Sequence, residues 1–242
     1  MNLAIDIGNT RVKAAVFEED KLIELLIFDK KIIVSEIKKI VKKYAISGGI
    51  ISNVGAISER KMAQLNESFN FTVISASLKV PFNNLYKTPD TLGVDRIALV
   101  AAAVKQFPKT NVLIIDAGTC ITFDFVDVNA TYLGGAISPG IKMRYKALHK
   151  FTANLPLIEA LELDDFIGKN TEESIISGVL NGIKNEINGI IEDYYLRYLD
   201  LTVVLTGGDT NFLSKQLKSG IFANQNFLLQ GLNEILKFNQ HK

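Results

Sequence analysis

"LAIDIGNT" (residues 3–10) and "LIIDAGTC" (residues 113–120) are the two stretches that decide the fold. Each is an apolar run ending in an aspartate, with a glycine two residues later and small polar side chains after it. The apolar run reads as a buried strand, and the glycine with its polar neighbours as the turn that ends it. One such unit is ordinary turn chemistry. Two copies, at Asp6 and Asp116, together with a third glycine turn in "LTGGD" (205–209), point to an internal duplication.

Working outward, the first copy sits among strands expected at 3–7, 12–17 and 22–28. A helix follows at 34–44 (Val34, Ile37, Ile40 and Val41 on its apolar side), then a strand at 48–54, a helix at 58–69 capped by Ser58, and a strand at 71–76. Residues 77–92, with Pro81 and Pro89, read as loop, and 95–107 as an alanine-rich helix. The pattern then restarts. Strands are expected at 111–118, 120–127 and 131–138, and helices at 141–151 and 171–199. A strand at 202–209 runs into the glycine turn, and a short helix and a mostly helical stretch over 222–238 follow. The expected architecture is α/β with two halves, 1–110 and 111–242, facing a central cleft.

Composition narrows the function. Lys and Arg number 27 against 26 Asp and Glu, so net charge gives no reason to expect nucleic acid or an anionic membrane as partner. No apolar run is long enough to span a bilayer. A single cysteine, Cys120, excludes an internal disulfide, and the opening residues carry no basic leader region. Both fit a cytoplasmic protein. With two histidines and one cysteine, a structural zinc site is not expected. Cys120, on an apolar strand, reads as a packing residue rather than a nucleophile.

The duplicated turn has a chemical reading. A tight turn between antiparallel strands presents small side chains and backbone N–H groups, and Gly8 lets a phosphate come close to the backbone. Asn9 and Thr10 add donors and Lys13 adds positive charge. Asp6 would repel a phosphate, but suits a cation that neutralises one. The same logic applies to Asp116, Gly118 and Thr119. The sequence lacks both the P-loop and the GxGxxG patterns. In "TLGVDRIALVAAA" (91–103), Asp95 reads equally as a helix N-cap or as a carboxylate that takes a proton from a substrate hydroxyl. Arg96 reads equally as a surface residue or as a fork for a substrate carboxylate. The helix at 171–199 has more apolar residues than one buried stripe needs, which fits either a subunit interface or a core.

With these residues in view, the sequence resembles the type III pantothenate kinases, within the acetate and sugar kinase/Hsc70/actin superfamily, over essentially its whole length. "DIGNTRVK" resembles that family's first phosphate motif, "TPDTLGVDR" its substrate motif and "DAGTCIT" its second phosphate motif. "GGAISPGIKMRYKALHKFTANLP" and "GKNTEESIISG" match two later signatures. Cys120 stands where alanine is common, and Thr88 where asparagine is common. The resemblance implies duplicated ribonuclease H-like halves, each a mixed sheet with flanking helices, and transfer of phosphate from ATP to pantothenate, the first step towards coenzyme A. It implies an ATP site from Asp6, Ile7, Gly8, Asn9, Thr10, Arg11, Val12, Lys13 and Thr119, and Asp95 as general base. It further implies a pantothenate site from Tyr86, Gly93, Val94, Asp95, Arg96 and Thr171, a monovalent cation (K+ or NH4+) on Asp116, Mg2+ with ATP, and a homodimer. Two rival readings stand beside it: a sugar or acetate kinase of the same superfamily, and a regulator that keeps the nucleotide fold without turnover.

Overall fold

The computed structural model describes residues 1–54, 57–75, 77–159, 162, 165–217 and 220–240. The chain forms two compact units. The first comprises Met1–Lys109, Asn129–Leu133 and the residues from Asn226 onward; the second comprises Thr110–Val128 and Gly134–Gln225.

The sheet of the first unit is built from β1 (Asn2–Ile7), β2 (Val12–Glu18), β3 (Lys21–Phe28), β4 (Gly48–Asn53) and β5 (Thr72–Val73), in the order β3-β2-β1-β4-β5. β2 runs antiparallel to both β1 and β3, whereas β4 runs parallel to β1 and to β5. Alternation puts Leu3, Ile5 and Ile7 on one face, each fully buried against Ile33, Ile37 and Ile40 of α1 (Ile33–Lys43). Burying side chains of this size stabilises the unit by about 1.5–3 kcal/mol each. After β4 comes α2 (Glu59–Ser68), whose first turn is capped by Ser58 accepting the Lys61 N–H. The strand expected at 71–76 is only two residues long, and Ala76 lies outside the described residues. The expected loop at 77–92 carries a two-residue strand, β6 (Asn83–Asn84), and a single 3-10 turn at Pro89–Thr91 before α3 (Val94–Gln106).

The second unit repeats the plan. Its strands are β7 (Asn111–Ala117), β8 (Cys120–Val126), β9 (Thr131–Pro139), β10 (Leu201–Thr206) and β11 (Ile221–Ala223). They lie in a six-stranded sheet in the order β6-β9-β8-β7-β10-β11, with β7 antiparallel to β8, parallel to β10, and β10 parallel to β11. Apart from the short β6 at its edge, the strand order repeats that of the first sheet. Burial agrees residue by residue: along both 2–9 and 112–119 four buried residues lead to a half-buried aspartate, then a buried residue, a half-buried glycine and an exposed polar side chain. The core of this unit packs β7, β8 and β10 against α4 (Ile141–Phe151) and α5 (Thr171–Arg197). Ile175, Val179, Ile183, Ile187 and Ile191 form the buried stripe of α5. The start of α5 is fixed by Asn170, which accepts the Glu173 N–H at 2.9 Å while its amide donates to Glu173 Oε1 at 2.7 Å. A single turn, α6 (Thr210–Leu213), follows β10.

The last helix, α7 (Phe227–Gln240), counts with the first unit, although it follows the second in sequence. It covers the face of β1, β2 and β4 opposite α1 and packs along α3. The alanines of α3 allow this close approach: a Cβ on Gly231 of α7 would lie 1.8 Å from the Ala98 carbonyl oxygen. Asn233 of α7 takes a hydrogen bond from the buried Asn2 amide at 2.9 Å and donates to the Glu19 carbonyl at 2.7 Å. A division at residue 110 therefore misses α7 and residues 129–133, both of which are bound by packing and hydrogen bonds to the first unit.

Candidate active site

In the first unit, β1 delivers Asp6 to the end of the sheet, in register with Lys13 on β2 and Ser52 on β4. Its neighbours on the strand are wholly apolar. Burial therefore pushes the Asp6 carboxyl up to about 6; Lys13 opposes this, and the negative charge of Asp95 adds to it. Beyond Asp6 the chain turns at Gly8, whose N–H donates to the Arg11 carbonyl at 3.1 Å and closes the hairpin to β2. That N–H is thus committed to the hairpin. Asn9, Thr10 and Arg11 are exposed and Lys13 is half-buried, so the donors of this turn come from the residues after the glycine.

Asp95 does not cap α3. Gly93 occupies the N-cap position and Asp95 lies in the first turn, where its carboxylate accepts the Arg96 N–H at 2.8 Å. A Cβ on Gly93 would stand 2.4 Å from Asp95 Oδ1, so only glycine lets the carboxylate fold back in this way. Arg96 is buried, at 5% exposure, which excludes the surface reading. Its guanidinium carbon lies 5.5 Å from the centre of the Tyr86 ring, a cation–π arrangement. The first unit thus brings Asp6, Asp95, Arg96 and Tyr86 into one connected group, with Gly93 and Val94 half-buried beside them.

The second unit builds its own turn. Gly118 N–H donates to the Cys120 carbonyl at 2.9 Å, leaving Thr119 exposed at the tip. This turn is clamped by the start of α4: Gly140 N–H donates to the Thr119 carbonyl at 3.2 Å, and a Cβ on Gly140 would lie 2.2 Å from the Gly118 carbonyl oxygen. Arg144 holds that clamp, donating to the Pro139 carbonyl at 2.9 Å and Ser138 Oγ at 3.0 Å and pairing with Glu186 of α5. Asp116 is in register with Thr122 on β8 and Thr206 on β10. The "LTGGD" turn wraps onto it. Gly207 adopts φ +98°, and a Cβ there would lie 2.4 Å from Asp116 Oδ1 and 2.3 Å from the Ala117 carbonyl oxygen. Asp209, whose carboxyl burial raises with Lys142 opposing, donates its N–H to that same carbonyl at 2.9 Å.

Thr171, the first residue of α5, lines an open hollow of about 940 Å³ between α4 and α5, together with Arg144, Leu148, Leu155 and Val179. Cys120 begins β8 half-buried, and His241 lies outside the described residues. Among the described residues there is no cluster of three or more His, Cys, Asp and Glu side chains that could hold a metal. No helix there is long and apolar enough to cross a membrane. Two residues of evident consequence for the site escaped the motif reading: Arg144, inside a long signature with nothing to single it out, and Tyr132, which stacks under Tyr86.

Comparisons with known proteins bear on the family and the fold. The profile of the family described as type III pantothenate kinase matches residues 2–193. A type III pantothenate kinase of Christiangramia forsetii is 51% identical over 241 residues, covering 99% of each chain. Among solved structures, a Baf family transcriptional activator from Campylobacter jejuni matches 99% of this chain and 100% of its own, at 23% identity and a TM-score of 0.64. A glucokinase from an Antarctic psychrotroph matches 98% of each chain at 13% identity and a TM-score of 0.55. At these identities the two structures speak to the fold alone, mixed sheets with flanking helices.

Proposed function

The chain belongs to the type III pantothenate kinases, which phosphorylate pantothenate with ATP as the first step of coenzyme A synthesis, and from that premise we propose how its own residues divide the work. The observation that carries the reading is the cluster at the first turn of α3, where Asp95 adjoins the buried Arg96 and Arg96 lies over Tyr86. Asp6, at the hairpin that ends β1, is near enough to feel the charge of Asp95. Phosphate donor and hydroxyl acceptor would have to meet at such a place.

In this proposal Asp95 orients the primary hydroxyl of pantothenate and accepts its proton. The hydroxyl oxygen forms a bond to the γ-phosphorus as the bond to the bridging β–γ oxygen breaks, releasing ADP. Arg96 binds the pantothenate carboxylate through its planar fork, and Tyr86, Gly93, Val94 and Thr171 line the substrate. Asp6 to Lys13 and Thr119 hold the ATP phosphates, the exposed Asn9, Thr10 and Thr119 acting as donors and Lys13 as a fixed charge. The donor chemistry fits the expected cations. A carboxylate pushed towards protonation by burial, with the charge of Asp95 adding to it, as Asp6 is, suits the Mg2+ that arrives with ATP. Asp116, flanked in register by two threonines, offers only oxygen donors and suits K+ or NH4+. When bound, these cations would neutralise phosphate charge. A homodimer is part of the proposal, supported by the exposed Phe151, Leu196 and Leu199.

The test is a coupled ADP-release assay with ATP, magnesium and pantothenate, with and without K+ or NH4+. Asp95→Asn should lower turnover by about 10²–10⁴-fold while KM for ATP and the unfolding midpoint stay put. A variant turning over near the wild-type rate would remove Asp95 from the role of base.

A further inference from the structure

Residues 129–133 belong by sequence to the second half, yet they count with the first unit. Hydrogen bonds give the reason. Asn83 N–H donates to the Ala130 carbonyl at 2.9 Å and Leu85 N–H to the Tyr132 carbonyl at 3.1 Å. Asn83 and Asn84 of β6 thereby pair in parallel with Thr131 and Tyr132 of β9. One step further, the Asn84 side-chain oxygen accepts the Tyr86 N–H at 3.0 Å. The fully buried Tyr132 ring lies stacked under Tyr86, with centroids 6.1 Å apart and planes 18° apart, and Phe82 meets Tyr132 edge-on at 6.2 Å. The ladder ends at the Arg96 guanidinium over Tyr86. Ala130, which supplies the first carbonyl, sits at φ +56°, a left-handed conformation that a residue with a Cβ adopts at a cost.

Resting on the reading of Arg96 and Tyr86 just given, we propose that segment 130–132 is the template that sets the substrate loop. Tyr132 is then a positioning residue for recognition of an acid substrate. Among its described residues, the loop before α3 has β6 and one 3-10 turn as its regular structure. Left to itself it would leave Tyr86 mobile, and Arg96 would have to surrender side-chain freedom each time a carboxylate bound. Docked on Tyr132, the Tyr86 ring is already in place and the guanidinium already lies against it. The segment acts on the acceptor and not on ATP, so its loss separates the two substrates kinetically.

The experiment is steady-state kinetics on the full chain, with a urea melt of each variant. Tyr132→Leu removes the ring while keeping an apolar side chain. It should raise KM for pantothenate about five- to tenfold, the scale of one lost aromatic pair, with KM for ATP and kcat changed less than about twofold. Tyr132→Phe should recover most of the loss. Asn84→Ala, at a half-buried loop position, should raise the same KM in the same direction, and Asn84→Asp, which keeps the acceptor oxygen, should recover it. A folded Tyr132→Leu with unchanged pantothenate KM overturns the inference, as does one in which both KM values and kcat move together. If Tyr132→Leu does not fold, Asn84→Ala decides, and an unchanged pantothenate KM there is the overturning result. Absence of pantothenate-dependent ADP release from the wild type would instead strike the reading of the acceptor site, before any variant is compared.

Discussion

Replacing Gly118 by alanine separates what the protein needs from what its ligand needs. Around Gly118 the nearest atom to an added Cβ is the Cys120 carbonyl oxygen, 4.0 Å away, and its φ is not in the left-handed range. Nothing in the protein's own packing calls for glycine there. The substitution should leave stability unchanged, or raise it by up to about 1 kcal/mol through loss of unfolded-chain freedom. A phosphate oxygen that comes against this backbone would, however, meet the new methyl. Pushing the phosphate off one of the donors that follow the glycine loses a hydrogen bond to a charged group, at about 1.5–3 kcal/mol, roughly a 10- to 150-fold rise in KM for ATP. Gly8, whose nearest neighbour would be the Arg11 carbonyl oxygen at 3.4 Å, should behave alike. The assay pairs urea denaturation with the coupled ADP-release measurement at varied ATP. A Gly118→Ala protein with normal ATP dependence would refute the placing of phosphate at this turn. One that loses several kcal/mol of stability would refute the packing argument.

Two further outcomes test the carboxylates. Because the folded protein holds a proton on Asp6 up to about pH 6, above the ordinary value of 3.8, the stability linked to that proton is present at low pH and fades as pH rises through about 6. Asp6→Asn should therefore raise the unfolding midpoint of the ligand-free protein near about pH 7.5 and change it little near about pH 4, while weakening ATP binding; equal shifts at both pH values would contradict this. Gly207→Ala must place a side chain at φ +98° and 2.3–2.4 Å from two oxygens. It should destabilise by about 2–5 kcal/mol and blunt activation by K+, and an unchanged melt would contradict the tightness of the turn.

Most of the strands were legible along the chain because the chemistry that ends a strand is local. Gly8 with Asn9 and Gly118 with Thr119 mark their turns wherever they fall. The motifs stand out for the same reason, since most of their residues lie within a few positions of a glycine. What stayed hidden depends on distant parts of the chain. Asp95 resembles an N-cap by sequence, but the cap belongs to Gly93, because the carboxylate is turned back onto the Arg96 N–H. Tyr132 lies in an ordinary alternating strand and gains its meaning only from pairing with residues nearly 50 positions earlier. Arg96, undecided in the sequence, is buried, with Tyr86, ten positions earlier, brought against it. The sheet face that takes α7 offered no mark of which helix would cover it.

The position of α7 has a consequence for biosynthesis. A ribosome completes every strand of the first sheet early, but the helix that roofs Asn2, β4 and the alanines of α3 is not made until the entire second unit has been translated. At about 5–20 residues per second that is a wait on the order of ten seconds. Through that interval the sheet face keeps apolar atoms in water, open to chaperones and to stray strands. The unit begun first is the one finished last, and the nascent enzyme passes through its most vulnerable form just before it becomes active.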